Sequence, residues 1–295
     1  MNTQAEIRRE ARRQVPLSQR IKHTAVQTVI YIFCTVMLLV CVLPIWLLFV
    51  DATRSTTEIN QGMSLIPSGY FAMNWGTLMS KDFPLIQAFF NSIVISFSST
   101  ALSLYFSALT AYAFVAYRYR GQNVLYSIIL MLMMIPGQLS MIGFYKLVVD
   151  LGLYDTYVPL IIPAIAAPGA VFFFKQYFNA NFSKDIVEAA RIDGANEFRI
   201  YSTMVIPSII PAIATQAIFG IVGSWNNYMG PLMLITTTEK YTFPMIVQLL
   251  KTDRYNTDLG AMALGVFMTI VPLLVIYAIF SKVIINGVAI GGGKE

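Results

Sequence analysis

Charged side chains are scarce in this sequence. Only 12% of its 295 residues are Asp, Glu, Lys or Arg, whereas 57% are hydrophobic; an average soluble domain carries about 25% charged residues. Too few charges are present to cover a water-facing surface, which argues against an ordinary soluble enzyme and against a disordered scaffold. The two cysteines, Cys34 and Cys41, lie in one apolar run, so a disulfide framework is excluded as well.

Histidine and phosphate-binding motifs are also missing. His23 is the only histidine, so neither a His-based metal site nor Ser-His-Asp catalysis has its residues. The Walker-type sequence, GxxxxGK followed by Ser or Thr, does not occur, and the chain is not expected to hydrolyse ATP by itself. We therefore predict no enzyme activity, no metal site and no cofactor on this chain.

Long uncharged runs are abundant instead. Seven of them reach the roughly 18 residues that a membrane-spanning helix needs, at 24–50, 59–80, 83–117, 121–145, 156–174, 200–238 and 259–281. The second run is rich in Asn, Gly and Ser and is expected to be turns and loop. The other six are continuously rather than alternately apolar, which favours helices over strands. The predicted fold is all-α, a polytopic membrane protein with six transmembrane helices.

The basic residues orient these helices. With six spans both termini lie on one side of the membrane, and 14 of the 20 Lys and Arg residues fall in segments on that side. The positive-inside rule therefore predicts that both termini are cytoplasmic. We expect a cytoplasmic basic tail at 1–23, a transmembrane domain at 24–285 with a cytoplasmic loop at 183–207, and a cytoplasmic C-terminal tail at 286–295. The basic tail is interpreted as an orientation signal beside anionic lipid, with no nucleic acid partner.

The 183–207 loop predicts two short helices joined by a turn. Ser183 and Asn196 are suitable N-caps, Gly194 can take the left-handed conformation that ends the first helix, and Pro207 marks a break or bend before the fifth span. Small and apolar side chains around the turn suit insertion into a groove of a partner protein. Glu188 and Arg191 could alternatively form only a local ion pair.

The spacing in this loop resembles the signature of permease subunits of ATP-binding cassette importers, which is EAA, three residues, Gly, nine residues and I-x-L-P. Here Glu188-Ala189-Ala190 is followed at the same spacing by Gly194 and by a Met-Val-Ile-Pro run ending at Pro207. Met for Ile and Ile for Leu are conservative departures. The Trp-Asn-Asn run at 225–227 and the 286–294 tail are similar to the carbohydrate, maltose-type branch of that family.

The resemblance implies a permease subunit of an ATP-driven sugar or oligosaccharide importer in a bacterial or archaeal cell membrane. Its implied partners are a second permease subunit, an ATPase dimer that binds the ATP and Mg, an extracytoplasmic solute-binding protein, the sugar and membrane lipid. The implied ATPase-coupling residues are Glu188, Ala189, Ala190, Arg191, Asp193, Gly194, Ala195 and Pro207. A C-terminal ATPase contact is implied at Gly291, Gly292, Gly293 and Lys294, and a frayed tail is the alternative there.

Polar residues within the predicted spans are candidates for the translocation path. They are Asn91, Gln138, Gln216, Trp225, Asn226 and Asn227. Buried amides are costly, which favours a pore or interface role for the five Asn and Gln residues. Trp225 could stack on a sugar ring, and an aromatic at the membrane interface is the alternative. Most serines of the second span are expected to pack helices. Two alternatives stay open: an importer of the same class with non-sugar cargo, and an ion-coupled secondary transporter. The latter usually needs carboxylates within the spans, and the confident spans contain none.

Overall fold

The computed structural model describes residues 17–81, 83–252 and 258–291. Within these ranges the regular secondary structure is helical and no strand occurs, as the continuous apolar runs predict. The chain divides into two compact units, one formed by Met1–Asn74 with Asp258–Phe267 and the other by Trp75–Thr257 with Met268–Glu295.

In the first unit a long apolar helix leads into an ordered polar loop. α1 (Leu17–Ala52) is followed by the short α2 (Thr56–Asn60). A capping box begins α2, because the Ser55 hydroxyl accepts a hydrogen bond from the Glu58 amide and the Glu58 carboxylate accepts one from the Ser55 amide. The loop after α1 is therefore held in one conformation by its own side chains.

Arg54 is buried in this loop, with 7% of its surface exposed. Its guanidinium donates to the Asp51 carboxylate at 3.3 Å and to the Gly62 carbonyl at 2.9 Å. The Asn74 amide donates to the carbonyls of Ala52 and Arg54, each at 2.9 Å. These hydrogen bonds satisfy the buried charge and the neighbouring backbone. Part of the run at 59–80, expected to be only turns and loop, is therefore a packed polar core.

The remaining helices follow in chain order. They are α3 (Phe71–Met79), α4 (Leu85–Ala116), α5 (Gln122–Met133), α6 (Met141–Asp150), α7 (Val158–Ile161), α8 (Pro168–Asn181), α9 (Lys184–Ile192), α10 (Glu197–Ile200), α11 (Ile206–Ser208), α12 (Ile210–Trp225), α13 (Met229–Leu234), α14 (Phe243–Thr252) and α15 (Leu259–Gly291). Short 3-10 turns lie at Gly137–Ser140, Ile162–Ile165 and Thr238–Lys240, and a π-helical turn lies at Tyr201–Val205.

Four helical stretches in the described residues are long and apolar enough to cross a membrane. They are Thr24–Ala52, Leu85–Ala116, Val158–Asn181 and Leu259–Lys282. Two further stretches qualify only as bent pairs, α5 with the segment Gly137–Asp150 at 92°, and Glu197–Ser208 with α12 at 79°. Counting each bent pair as one span gives six, the number predicted from the sequence.

Two bends interrupt the described helices, and the one before α12 was expected at Pro207. Pro136 lies at the first bend and Pro211 at the start of α12. Proline lacks an amide hydrogen and its ring clashes with the preceding turn, so a helix ends or bends there. The last helix is longer than expected. The backbone of α15 continues as helix to Gly291, through residues that were expected to form a separate tail. A single glycine inside a helix costs only about 1 kcal/mol, which does not end the helix.

The core of the second unit is built around α4. This helix packs against α8 and α12, and its buried Ala108, Ala111 and Tyr112 contribute to one apolar cluster with Phe174 and Phe178 of α8. The small residues let the helices approach closely. α4 is therefore the element on which the rest of this unit is positioned.

The serines of α4 serve packing, as predicted. The Ser99 hydroxyl lies 3.0 Å from the Ser224 hydroxyl of α12, and the Ser92 hydroxyl accepts a hydrogen bond from the Phe243 amide at 2.8 Å. Such contacts satisfy polar groups between apolar helices without a wide gap.

Candidate functional site

The segment 183–200, called the EAA turn below, folds as its sequence predicts. The Ser183 hydroxyl accepts a hydrogen bond from the Asp185 amide and begins α9. Gly194 has a φ of +80°, the left-handed conformation that glycine adopts without strain. The Asn196 side chain accepts a hydrogen bond from the Arg199 amide at 2.8 Å and begins α10. The turn is thus fixed at both of its helix ends.

The EAA turn has one buried and one exposed face. Val187 and Ala190 are 2% and 3% exposed and belong to the core cluster around α4. Glu188 is exposed, and Ile192 and Phe198 are 86% and 71% exposed. Large apolar side chains so open to solvent, beside an exposed carboxylate, are the features of a protein-binding surface.

Arg191 pairs with Glu197 rather than with Glu188. Its Nε lies 2.6 Å from the Glu197 carboxylate, and its guanidinium carbon lies 5.0 Å from the centre of the Tyr117 ring. The hydrogen bond to Glu197 raises the pKa of Arg191 above its already high value. Among the described side chains none bonds to the Glu188 carboxylate, so the local Glu188–Arg191 pair considered from the sequence is not formed.

The other motif residues lie around the same turn. Ala189 and Asp193 are exposed, Ala195 is half-buried, and Pro207 lies in the first turn of α11. Gly291 is the last residue of α15, whereas Gly292, Gly293 and Lys294 lie outside the described residues. In the part of the chain that the structure describes, no group of three His, Cys, Asp or Glu side chains could hold a metal ion.

Two of the predicted path residues are engaged in packing. The Asn91 amide donates to the carbonyls of Glu239 and Tyr241, at 2.8 and 3.0 Å. Trp225 is 2% exposed, and its indole donates to the Thr269 carbonyl at 3.1 Å. Both side chains hold neighbouring segments together, as buried polar groups commonly do.

The other predicted path residues do not gather at one point. Gln138 is exposed at the bend between α5 and α6, Gln216 is half-buried on α12, and Asn226 is exposed at the end of α12. Asn227 lines a cavity of about 270 Å³, whose walls otherwise include Met141, Phe144, Tyr145, Pro163 and Met233. An apolar cavity with few polar groups is the usual form of a small-molecule site.

Asp155 forms a second polar cluster, which the sequence did not reveal. Its carboxylate accepts hydrogen bonds from the amides of Thr236 and Thr237, at 2.9 and 3.0 Å, and from the Thr237 hydroxyl at 2.6 Å. Lys240 lies 2.8 Å from the same carboxylate. These bonds, that to Lys240 first, lower the pKa of Asp155 well below its usual value.

Asp155 also has an unusual backbone. Its φ is +59°, the only positive value at a non-glycine position among the described residues, and Asp is one of the few residues that tolerates this conformation. The cluster, called the Asp155 clasp, joins the turn after α6 to the segment after α13. A turn that contains Asp followed by Thr gives only a weak sequence signal. The partners of Asp155 lie more than 80 residues further along the chain, so no local sequence pattern indicates them.

Comparison with known proteins agrees with this architecture. Residues 103–284 match the family model described as "Binding-protein-dependent transport system inner membrane component". The arabinooligosaccharides transport system permease protein AraQ of Halalkalibacterium halodurans is 34% identical over 86% of this chain and 92% of its own length. AraQ of Bacillus subtilis is 30% identical over 89% and 94%, and the lactose transport system permease protein LacG of Rhizobium radiobacter is 27% identical over 82% and 87%.

Solved structures give the same result. A chain from the crystal structure of a bacterial ABC transporter involved in import of the acidic polysaccharide alginate has a TM-score of 0.75 and 25% identity, covering 91% of this chain and 98% of that one. An inward-facing MetNI methionine ABC transporter shares the fold at a TM-score of 0.50 and 14% identity. The chain therefore belongs to the family of inner membrane components of binding-protein-dependent transport systems, the non-enzymatic permease subunits of ATP-binding cassette importers.

Proposed function

We propose that this chain is the permease subunit of an oligosaccharide importer. The conformational changes that ATP hydrolysis drives in the ATPase are proposed to reach this chain through the EAA turn. Membership of the family implies an ATPase and a solute-binding protein as partners. The observation that carries the coupling role is the shape of the EAA turn: both helix ends are capped, its inner face is packed on α4, and Glu188, Ile192 and Phe198 are exposed.

The sugar cargo is supported by the relatives. Those named for arabinooligosaccharides and lactose match most of the chain. A permease named for sn-glycerol-3-phosphate is 27% identical over 84% of it, which keeps a non-sugar cargo as the alternative. Uptake of labelled arabino-oligosaccharide, lactose and glycerol 3-phosphate by a strain lacking the chain, with and without the gene restored, decides between them. Restored uptake of glycerol 3-phosphate alone would exclude the sugar proposal. An ion-coupled secondary transporter is a poorer explanation, because the family transports with an ATPase.

In the coupling role, Glu188 contacts a basic group of the ATPase, and Ile192 and Phe198 fill an apolar cleft beside it. A carboxylate that bonds to none of the described side chains is available for an ion pair across an interface. Exposed apolar anchors next to it supply the area that such an interface buries. Gly194 then allows the turn without strain. The tail at Gly291–Lys294 is proposed to reach the same ATPase.

Glu188 can be tested against a matched neighbour on the same helix. In membranes that contain the full transporter, Glu188→Gln should weaken retention of the ATPase by roughly tenfold, the usual effect of removing one interface charge. Asp185→Asn removes an equally exposed carboxylate one turn earlier and keeps the Ser183 cap, so it should retain the ATPase. Equal retention by both variants would contradict a contact at Glu188.

We further propose that the chain pairs with a second permease subunit and has both termini in the cytoplasm. A permease subunit that forms half of a pore needs a second subunit to form the other half. In addition, the part of α1 that could cross the membrane is 0% buried within the chain, so its surface is available for contact with that subunit. Affinity purification of the tagged chain in mild detergent, followed by mass spectrometry of its partners, tests the composition. A complex with the ATPase but no second permease chain would indicate a homodimer instead.

The cavity beside Asn227 is the proposed part of the translocation path on this chain. Its Met, Phe and Tyr walls offer surfaces for a sugar ring, and the amide offers a hydrogen bond. Gln138, Gln216 and Asn226 remain proposed path residues, and Asn91 and Trp225 are proposed to shape the path through packing. Asn227→Cys should react with a small thiol reagent, and excess cargo should slow that reaction. Cargo without effect would exclude Asn227 from the path.

A further inference from the structure

Tyr117, Arg191 and Glu197 meet beside the EAA turn, although Tyr117 is 80 positions away from Glu197 in the chain. The Tyr117 hydroxyl donates a hydrogen bond to one oxygen of the Glu197 carboxylate. Arg191 Nε donates to the other oxygen at 2.6 Å. The Arg191 guanidinium also lies over the Tyr117 ring, 5.0 Å from its centre. Each residue of this trio, called the Tyr117 network, therefore contacts both others.

Tyr117 directly follows α4, the helix around which the second unit packs. The network consequently links the EAA turn to the end of α4 by one charge-assisted hydrogen bond, from Tyr117 to Glu197, and by the contact of Arg191 with the Tyr117 ring. The turn is also attached by apolar contacts, through Val187, Ala190 and Ile200 in the core cluster. Apolar contacts tolerate sliding, whereas charge-assisted hydrogen bonds fix both distance and angle.

The network also gives Arg191 a use different from the one its motif position implies. Its guanidinium is turned to Glu197 and Tyr117 of its own chain, and its side chain is 34% exposed. Glu188, in contrast, is exposed and has no bond to a described side chain. Two charged residues three positions apart thus face different partners, one outward and one toward α4.

We propose that Tyr117, Arg191 and Glu197 are positioning residues that transmit movement of the docked EAA turn to α4. This inference rests on the proposed coupling role of that turn. When the ATPase moves the turn, the Tyr117–Glu197 hydrogen bond and the contact of Arg191 with the Tyr117 ring oblige the end of α4 to follow. The helices α8 and α12, which are packed on α4, then move with it. Without the bonds the turn stays docked but shifts against α4, so ATP is hydrolysed with less transport.

The test compares two tyrosines in the purified, reconstituted transporter. Tyr117→Phe removes only the hydroxyl that reaches Glu197, whereas Tyr119→Phe removes a hydroxyl two positions away that makes no hydrogen bond to a described residue. Glu197→Gln removes the charge on which both bonds converge. The measured quantities are ATPase retention, the rate of ATP hydrolysis and the amount of cargo imported per ATP.

We expect Tyr117→Phe and Glu197→Gln to lower cargo imported per ATP by about three- to tenfold, within the range seen when coupling residues are changed. ATPase retention and Tyr119→Phe should stay as in the unchanged transporter. The variant with both Tyr117→Phe and Glu197→Gln should import as much cargo per ATP as the more impaired single variant, because both changes act through one carboxylate. Unchanged cargo per ATP, additive losses or loss of the ATPase would each overturn the inference. Glu188→Gln, measured in parallel, tests the docking itself, so the two proposals can fail separately.

Discussion

At the scale of single residues, the ends of α9 and α10 are set by short-range hydrogen bonds and by one left-handed glycine. Ser183, Gly194 and Asn196 act as caps and turn residues because capping needs only a few adjacent positions. The partner of Arg191 was not predictable in the same way. Glu188 is closer to Arg191 in the sequence than Glu197 is, but the turn at Gly194 brings Glu197 to the guanidinium. The Asp155 clasp depends on contacts between distant segments and left no local pattern.

The Asp155 clasp gives the first prediction. Asp155→Asn keeps the size of the side chain but loses its charge, and should cost about 1–3 kcal/mol of local stability, the value of hydrogen bonds to a charged group. Hydrogen exchange of the amides at 236–240 should become faster accordingly. Glu239→Gln is the control, because it removes an exposed acid of the same segment. Equal exchange in both variants would show that the clasp contributes nothing.

The same carboxylate predicts a pH dependence. The pKa of Asp155 is lowered in the folded chain, so its contribution is complete above the unfolded pKa of about 3.9 and is lost as the pH falls through the lower, folded pKa. The difference in thermal stability between the unchanged chain and Asp155→Asn should therefore be constant from pH 7 to about pH 5 and shrink below pH 4. A difference that grows on acidification would contradict the assignment.

At the scale of elements, length and hydropathy predicted the spans, and Pro207 predicted the bend before α12, whereas the bend near Pro136 was not predicted. A run of apolar residues indicates that a segment can lie in lipid, but it does not indicate whether the helix in that segment is straight or bent. Pro136 and Pro211 were visible in the sequence, yet a proline kinks some helices and ends others. The packed loop around Arg54 escaped prediction because its hydrogen bonds join residues up to 22 positions apart.

Contact between α4 and α12 can be tested with two glycines of one helix. A Cβ on Gly220 would lie 2.8 Å from Thr100 Cγ2, whereas a Cβ on Gly223 would meet nothing within 4 Å. Gly220→Ala should cost roughly 1–3 kcal/mol of stability through overpacking, and Gly223→Ala should be nearly neutral. Thermal unfolding in detergent measures both. Adding Thr100→Ala should restore part of the loss, and no rescue would contradict the proposed contact.

The first unit offers a similar comparison. A Cβ on Gly260 would lie 2.3 Å from the Arg54 carbonyl oxygen and 2.5 Å from the Asn74 amide nitrogen, and a Cβ on Gly69 would lie in open space. Backbone cannot move aside as a flexible side chain does, so Gly260→Ala should cost about 3 kcal/mol or more. Gly69→Ala is the control. Equal exchange protection of the Ala52 to Asn74 amides in both variants would contradict the packing.

At the scale of the whole molecule, the shortage of charge and the EAA spacing predicted the class of protein. Composition indicated a membrane protein, the missing catalytic and nucleotide motifs indicated dependence on partners, and the family match agrees with both. The cargo could not be derived, because the polar residues predicted for the path do not gather at one point in the described part of the chain. Apolar side chains of α1 and of the bends, such as Tyr31 and Met134, are exposed, which suits a chain that crosses a membrane.

The most direct test of the account is cargo imported per ATP hydrolysed by the reconstituted transporter carrying Glu188→Lys together with Gly194→Pro. Lysine reverses the exposed charge, and proline cannot adopt the positive φ of Gly194. We predict that the variant remains in the membrane, that ATP hydrolysis no longer depends on cargo, and that uptake falls close to zero. Normal uptake by this variant would contradict coupling through the EAA turn.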